Sequence, residues 1–527
     1  MTRFAHWAFV AVWVAGAAGC VSGFAQTGTI VIAPSAMARV GSVDERFQSY
    51  NIEAVQVTGG RFWKPYASAP APNSTAQQTG SGPAGINPAL FEYRAPIDLS
   101  NPRLRKLAAA LGPAYLRVSG TWMNSTYFQD SDEPAPSQPP AGFNSVLTRK
   151  EWKGVVNFAR AADAEIVTSF AISTGTRDAT GVWTPKVAQA FMAYTKAAGG
   201  SIAAAEFMNE PTFASMGGAP KGYDGPAYAR DFAVFQAWAK ASAPGMQILG
   251  PGGVNEDRMK PSAVMPVLAS ADILKATGPV FDIFSYHSYG ADSSRCSAMG
   301  FGAGTTAEAA LSAEWLARAA TAEAFYAAVR DQFEPGKPMW NTETAEADCG
   351  GDRWAKTFVD TFRYLNQLGS LARAGIQVQM HNTLNASDYG LLDEKTDEPR
   401  PDYWAAWLWH GLMGTTVLDP GPSPSPNLRL YAHCLPKQPG GVAVLAINAD
   451  KESLQTLRVA AGAERYTLTA KQLLDPTVDL NGKQLELGVN DVLPALEGVP
   501  IPSGTVTLAP ASITFLAFPK AENAACR

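Results

Sequence analysis

Ala203-Ala204-Ala205-Glu206-Phe207-Met208-Asn209-Glu210-Pro211 is a short run of small and apolar residues that stops at Asn-Glu-Pro. It has the composition of a buried strand. Pro211 bars the residue before it from the right-handed helical region and cannot donate a ladder hydrogen bond. Glu210 is therefore expected in extended backbone at the carboxyl end of that strand. A carboxylate there, with Asn209 beside it, is how a β/α barrel presents an acid to its upper face. Taken alone, a glutamate at a strand end is an ordinary rim residue, because surface carboxylates are common. A second stretch changes that reading: Lys337-Pro338-Met339-Trp340-Asn341-Thr342-Glu343-Thr344-Ala345 also runs from a strand into a carboxylate. Glycoside hydrolysis uses two such groups, one on either side of the scissile bond.

Outward from these stretches, strand and helix alternate. Strands are expected at residues 47–55, 114–119, 165–172, 203–210, 247–250, 281–287, 337–345 and 376–381. Helices are expected between them at 101–111, 149–162, 185–198, 306–332 and 352–374. Eight strands in this alternation make an α/β chain of the (β/α)8 TIM-barrel class, with Glu210 on the fourth strand and Glu343 on the seventh. Two long connections interrupt it: 59–97, which carries Phe62-Trp63-Lys64-Pro65-Tyr66, and the Pro-rich 121–145. Loops of this length commonly serve function. After a helix at 401–414, the turn-rich segment 419–426 marks a boundary. Short alternating strands at 428–433, 442–447, 455–459, 466–470, 505–508 and 513–518 then indicate a β-sandwich. The strand Gly28-Thr29-Ile30-Val31-Ile32 is expected to complete it. The expected division is an export signal at 1–25, an N-terminal sandwich strand within 27–45, a barrel over 46–415 and the sandwich over 416–527.

At 527 residues the chain exceeds one ordinary core. Its 13 Trp and 16 Tyr suit stacking on sugar rings, although large cores use such side chains too. The net charge of −5 leaves no electrostatic footprint for nucleic acid, and a polyanionic substrate would need a local basic patch. Lys64, Arg177 and Arg295 are the candidates for a basic rim, and they read more simply as ordinary surface charges. Residues 1–25 have Arg3, an apolar core over 7–18 and small residues before Gln26, the pattern of an export signal too short to span a membrane. Lipid attachment at Cys20 is the second reading, because Ala17 stands where a large aliphatic residue is usual. The expected location is outside the cell or in the periplasm, with no stable membrane insertion.

Without Cys20, four cysteines remain and three pairings are open. Their spacing has no metal-site character. The expectation is Cys434–Cys526 within the last domain and Cys296–Cys349 across two loops of the barrel top. No metal or cofactor is expected.

The chain resembles the heparanases and β-glucuronidases of glycoside hydrolase family 79 over nearly all of its length after the signal. The matching segments are Leu116-Arg117-Val118-Ser119-Gly120-Thr121, Phe207-Met208-Asn209-Glu210-Pro211, Asn341-Thr342-Glu343-Thr344 with Cys349-Gly350-Gly351, Leu371-Ala372-Arg373-Ala374-Gly375, Asp388-Tyr389 with Leu392-Asp393-Glu394, Pro401-Asp402-Tyr403-Trp404 and the segment 428–434. The resemblance implies a barrel flanked by a sandwich built from both chain ends. It also implies a retaining hydrolase with Glu210 as acid/base and Glu343 as nucleophile, the carboxyls about 5–5.5 Å apart.

Asn209 is then placed to bond the sugar 2-hydroxyl. Gly350 and Gly351, read as opening the helix after strand seven, would receive the sugar carboxylate on bare N–H groups, with Tyr389 beside them. Glu53, Thr121, His287 and Tyr289 match other sugar subsites, with Glu53 standing where the mammalian enzyme has aspartate. The long excised linker of the mammalian proenzyme has no counterpart after Thr121, so activity is expected without cleavage. The expected partner is a uronic-acid-containing oligo- or polysaccharide. The alternatives are another retaining barrel glycosidase, of xylosidase or arabinofuranosidase type, or a non-catalytic sugar-binding relative.

Overall fold

The computed structural model describes residues 31–66, 86–259, 267–296 and 304–527. The export signal, Cys20, residues 28–30 of the first expected strand and residues 67–85 of the long loop lie outside the described residues.

Eight parallel strands close into a barrel: β1 (Gln48–Glu53), β2 (Ala114–Ser119), β3 (Ala164–Ser169), β4 (Ile202–Glu206), β5 (Gln247–Val254), β6 (Ile283–Ala291), β7 (Met339–Ala347) and β8 (Val378–His381). Side chains two apart on a strand share a face, so each strand builds the barrel interior in layers. The lower layer is apolar, formed by Val167, Ala204, Leu249, Ile283, Trp340, Val378 and Met380 with Tyr115 against them. Two residues further along, the interior turns polar: Arg117 follows Tyr115, Glu206 follows Ala204, Ser285 follows Ile283 and Thr342 follows Trp340.

One irregularity matters for the site. Asn341 pairs with Tyr286 and Glu343 with His287, which leaves Thr342 as an extra residue on β7. Toward β8 the same offset recurs, with Asn341 opposite Gln379 and Thr344 opposite His381. Strict alternation would turn Glu343 away from the interior that Thr342 faces. The bulge lets both reach inward, Thr342 to Glu206 at 2.8 Å and Glu343 to Arg117 at 2.7 Å.

The helices pack outside the barrel. Arg149–Ala161 opens with a capping box between Thr148 and Glu151 and buries Trp152, Val155, Val156 and Ala159 at helical spacing. The helix after β7 runs over Phe358–Ala374, not from residue 352 as expected. Gly350 and Gly351 adopt φ of 84° and 80°, which a right-handed helix excludes, and they form a turn ahead of it. The ends of the long loop are ordered as an antiparallel pair, Gly60–Trp63 with Phe91–Arg94.

The remainder forms the expected sandwich. Both sheets take strands from each chain end: Arg39–Ser42 pairs with Thr416–Leu418, and Val31–Ile32 runs parallel to Gln455–Val459. Leu428, Leu430 and Ala432 alternate toward the sandwich core with Val442, Val444 and Ala446. The opposite face, with Tyr431, Leu445 and Phe515, joins the barrel's core. Tyr431 is covered by Gly369 of the helix Phe358–Ala374 and donates to Asn366 at 2.7 Å. Strands buried on both faces explain why 442–447 reads as an unbroken apolar run. Cys434–Cys526 joins the sandwich to the chain's end, and Cys296–Cys349 links the segments after β6 and β7. Among the described residues no helix is long and apolar enough to cross a membrane.

Candidate active site

β4 ends at Glu206, four residues before Glu210, so the expectation of an extended Glu210 on the strand is corrected. The chain is turned by Asn124, whose side chain holds both backbone groups of Asn209, each at 2.8 Å. Glu210 then adopts φ 43° and ψ 67°, in the left-handed region. Proline excludes only the right-handed helical region for its predecessor, and the left-handed turn carries the Glu210 carboxylate back over the barrel mouth. Such a conformation costs a non-glycine residue about 1–2 kcal/mol, and strain of this kind concentrates at functional sites.

Below the mouth lies a network centred on Arg117, buried on β2. Its guanidinium donates to Glu343 Oε2 at 2.7 Å, Glu206 Oε2 at 2.8 Å and Asn209 Oδ1 at 2.8 Å. Glu206 also accepts from Ser285 at 3.0 Å and Thr342 at 2.8 Å, so its charge is fully met. Tyr289 donates to Glu343 Oε1 at 2.6 Å. His287 Nδ1 stands 3.0 Å from Glu210 Oε1 and 3.7 Å from Glu343 Oε2. Glu210, His287 and Glu343 each present an atom within 4.8 Å of the other two.

The electrostatics separate the carboxylates. Burial, joined by the charge on Glu343, raises the Glu210 carboxyl above its ordinary value, against the pull of His287. Burial alone would raise Glu206 as well, but Arg117 and His287 overcome it and hold Glu206 far below the usual carboxylate range. Burial would lower His287, yet Glu343, Glu206 and Glu210 lift it to about 9. Burial and Glu343 push Glu53 well above its ordinary value.

A trio of one imidazole and two carboxylates is also a possible donor set for a metal ion. In this structure those donor atoms are already engaged with one another and with a cation: His287 Nδ1 lies 3.0 Å from Glu210 Oε1, and Arg117 donates to Glu343 Oε2 at 2.7 Å.

The cleft above, about 730 Å³ including its mouth, is lined by Glu53, Thr121, Glu210, Tyr289, Glu343, Asn382 and Tyr389, with Trp63, Trp122 and Phe213 among its apolar walls. Asn382 Nδ2 links Glu53, Tyr289 and Tyr389 at 3.0–3.2 Å. Glu53 also presses its Oε2 onto Gly120, where an added Cβ would stand 1.7 Å away and φ is 93°. Only glycine fits there.

Two residues expected on the sugar-facing wall lie beneath it. His287 is fully buried, and Asn209 is 1% exposed with Nδ2 lacking a partner among the described residues. Gly350 and Gly351 follow Cys349, which lines the cleft, but they are in a turn and not at a helix start. Arg177 and Arg295 are neither the ordinary surface charges nor the basic rim expected of them. Arg177 is buried against Asp231 at 2.6 Å, and Arg295 is held by Asp388 at 2.8 Å.

Arg117, Glu206, Asn124 and Asn382 had no assigned role in the sequence reading. The available signal was Arg117 within Ala114–Ser119 and Glu206 at the end of an alanine run, because a charge in a buried strand must find a partner.

The sequence model described as Glycosyl hydrolase family 79, N-terminal domain, matches residues 94–369. A heparanase from Mus musculus is 29% identical over 490 residues, covering 81% of this chain and 88% of the relative. A baicalin-beta-D-glucuronidase from Scutellaria baicalensis is 36% identical over 189 residues, 34% of this chain and 36% of the relative. Among solved structures, a 4-O-alpha-L-rhamnosyl-beta-D-glucuronidase from Fusarium oxysporum 12S superposes with a TM-score of 0.60 at 13% identity, over 93% of this chain and 99% of that one, a likeness of fold.

Proposed function

This chain belongs to glycoside hydrolase family 79, and from that premise we propose that it is a retaining β-D-glucuronidase with Glu343 as nucleophile and Glu210 as acid/base. The observation that carries the reading is the approach of Glu210 and Glu343 within 4.8 Å at the floor of one cleft. Retaining enzymes hold their two carboxyl groups about 5–5.5 Å apart, and this approach of one oxygen from each supports that class over the wider inverting pair.

In the first step Glu343 attacks the anomeric carbon while Glu210 gives its proton to the departing glycosidic oxygen. The glycosidic bond breaks and a glycosyl ester forms on Glu343. In the second step Glu210, now a carboxylate, takes a proton from water as that water displaces Glu343, and a sugar of the original anomeric configuration leaves. The charge on Glu343 raises Glu210 in the free enzyme, and esterification removes that charge. Glu210 therefore weakens as a proton holder when it must lose one and act as base. Arg117 and Tyr289 hold the two oxygens of Glu343, and Asn209, beneath the wall, accepts from Arg117 at 2.8 Å.

The glucuronosyl preference rests on the named relatives together with the Gly350–Gly351 turn and Tyr389 beside the cleft. Glu53, Thr121 and Tyr289 complete the sugar-facing wall in this reading. In this reading residues 46–415 are the catalytic unit, and the described residues from 31 to 45 belong with 416–527 in the sandwich. Two disulfides suit an oxidising compartment, which supports secretion or a periplasmic location.

The test is release of the aryl group from an aryl β-D-glucuronide beside the matching β-D-glucoside and β-D-xyloside, with the first sugar anomer read by proton NMR. Turnover of the glucuronide with the β anomer appearing first is the expected result. Turnover of the neutral sugars alone would remove the carboxylate preference, and an initial α anomer would remove the retaining mechanism.

A further inference from the structure

The Gly350–Gly351 turn and Tyr389 are built as one unit. The Asp388 N–H donates to the Gly350 carbonyl at 3.1 Å, and Arg295 donates to Gly351 O at 3.3 Å and Asp388 Oδ2 at 2.8 Å. His381, held neutral by burial, donates from Nε2 to the Tyr389 carbonyl at 2.8 Å. Against this unit lies Glu346, fully buried on β7 and unused by the mechanism. Its Oε1 accepts the Asp352 N–H at 2.6 Å. A side chain on Gly351 would meet that oxygen at 2.8 Å and Tyr389 Cβ at 3.1 Å, so glycine, carboxyl and tyrosine are mutually close-packed. Glu346 Oε2 is buried with no hydrogen-bond partner among the described residues. A buried carboxyl half without partners is costly to keep, more so when ionised.

We propose that Glu346 is a positioning residue for the substrate's carboxylate: it seats the Gly350–Gly351 turn against Tyr389 by accepting the Asp352 N–H, and a negative charge on it opposes the charge of the substrate. The inference rests on the reading that this turn and Tyr389 receive a glucuronate.

Several groups set the charge of Glu346. The helix Phe358–Ala374 presents Asp360 and Arg363, and Arg363 already donates to Asp360 from Nε and Nη2, each at 2.7 Å, and to Gln367 from Nη1 at 2.8 Å. The helix Pro401–Leu412 adds Asp402, 3.7 Å from Arg363. The turn itself adds Asp352, and the segment after β8 adds Tyr389, a phenol that burial keeps protonated. Burial first, then Asp360, push Glu346 well above its ordinary value, against Arg363 and the Asp352 N–H. A glucuronate bound beside it brings another negative charge. By linkage, binding then favours neutral Glu346, and ionised Glu346 weakens binding.

The experiment measures the inhibition constant of free D-glucuronate, with an aryl β-D-glucuronide as reporter, across roughly pH 5 to 9. It compares the wild-type enzyme, Glu346→Gln and Glu346→Ala, with melting temperature as the check on folding. The wild-type constant is expected to rise on the alkaline side. Glu346→Gln keeps the acceptor without the charge, so it should lose that rise and leave kcat unchanged. Glu346→Ala should raise the constant roughly tenfold, with kcat within about twofold. A Glu346→Gln curve that follows the wild type, or an Ala variant that binds glucuronate as the wild type does, overturns the inference. D-glucose as competitor separates the layers. If the wild type prefers glucuronate and the variants match it, only the role of Glu346 falls, whereas no preference in the wild type removes the carboxylate reading and this inference together.

Discussion

Arg117 Nη1 and Glu343 Oε2 stand 2.7 Å apart with side chains 1% and 7% exposed. The same guanidinium neutralises Glu206, so one cation fixes the carboxylate proposed to attack the sugar and also compensates a charge deeper in the barrel. Arg117→Met would remove the principal cation from both Glu206 and Glu343, leaving Glu206 with His287 and two hydroxyl donors, and breaking a buried pair in this way costs up to about 3–5 kcal/mol. The expected result is a marked fall in melting temperature together with loss of turnover. A variant as stable as wild type would show that the network does not carry this load.

Glu206 gives a pH signature. Its carboxyl is held below its ordinary value of 4.5, so the folded state binds fewer protons there than the unfolded chain. That stabilisation is complete above about pH 4.5 and declines as pH falls toward the folded value. Glu206→Gln should therefore be less stable than wild type at neutral pH, and the gap should narrow in acid. Chemical denaturation at several pH values reads this directly, and a constant gap would contradict it.

His287 carries a positive charge up to about pH 9 and lies 3.0 Å from Glu210. A cation there lowers the acid's pKa. Replacing it by asparagine should raise Glu210 and move the alkaline limb of kcat/KM to higher pH. A limb displaced to lower pH would mean that His287 does not act on Glu210 through its charge.

The two disulfides should respond differently. Cys434–Cys526 closes a sequence separation of 92 within the sandwich, so replacing both with serine is expected to cost about 2–5 kcal/mol while leaving KM unchanged. Cys296–Cys349 borders the cleft immediately before Gly350. Its removal should raise KM for an aryl glucuronide about tenfold with little change in kcat. Equal effects of the two pairs on KM would argue against the Gly350 turn as a substrate contact.

The barrel was legible because each strand is a local apolar run between helical periods, and Glu210 and Glu343 stood out because both end such runs. Their final placement was not legible. Glu343 faces inward through the bulge at Thr342, and Glu210 turns through a left-handed residue that Asn124, on a distant loop, makes possible. Arg117, Glu206 and Glu346 read as isolated charges in buried strands. What they do depends on partners brought together only by closure of the barrel. The helix start expected at Gly350 failed for a local reason: the two glycines are used for a tight turn, and the helix begins after a further turn at Trp354–Thr357.

The central claim is that Glu343 forms a covalent bond to the sugar. A 2-deoxy-2-fluoro-β-D-glucuronyl fluoride slows breakdown of the intermediate, and peptide mass spectrometry after brief incubation locates the adduct. The account predicts one fluoroglucuronyl group on Glu343 and none on Glu343→Gln. Label on Glu210 or another residue, or turnover of the fluoride to the α anomer with no adduct at all, would contradict it.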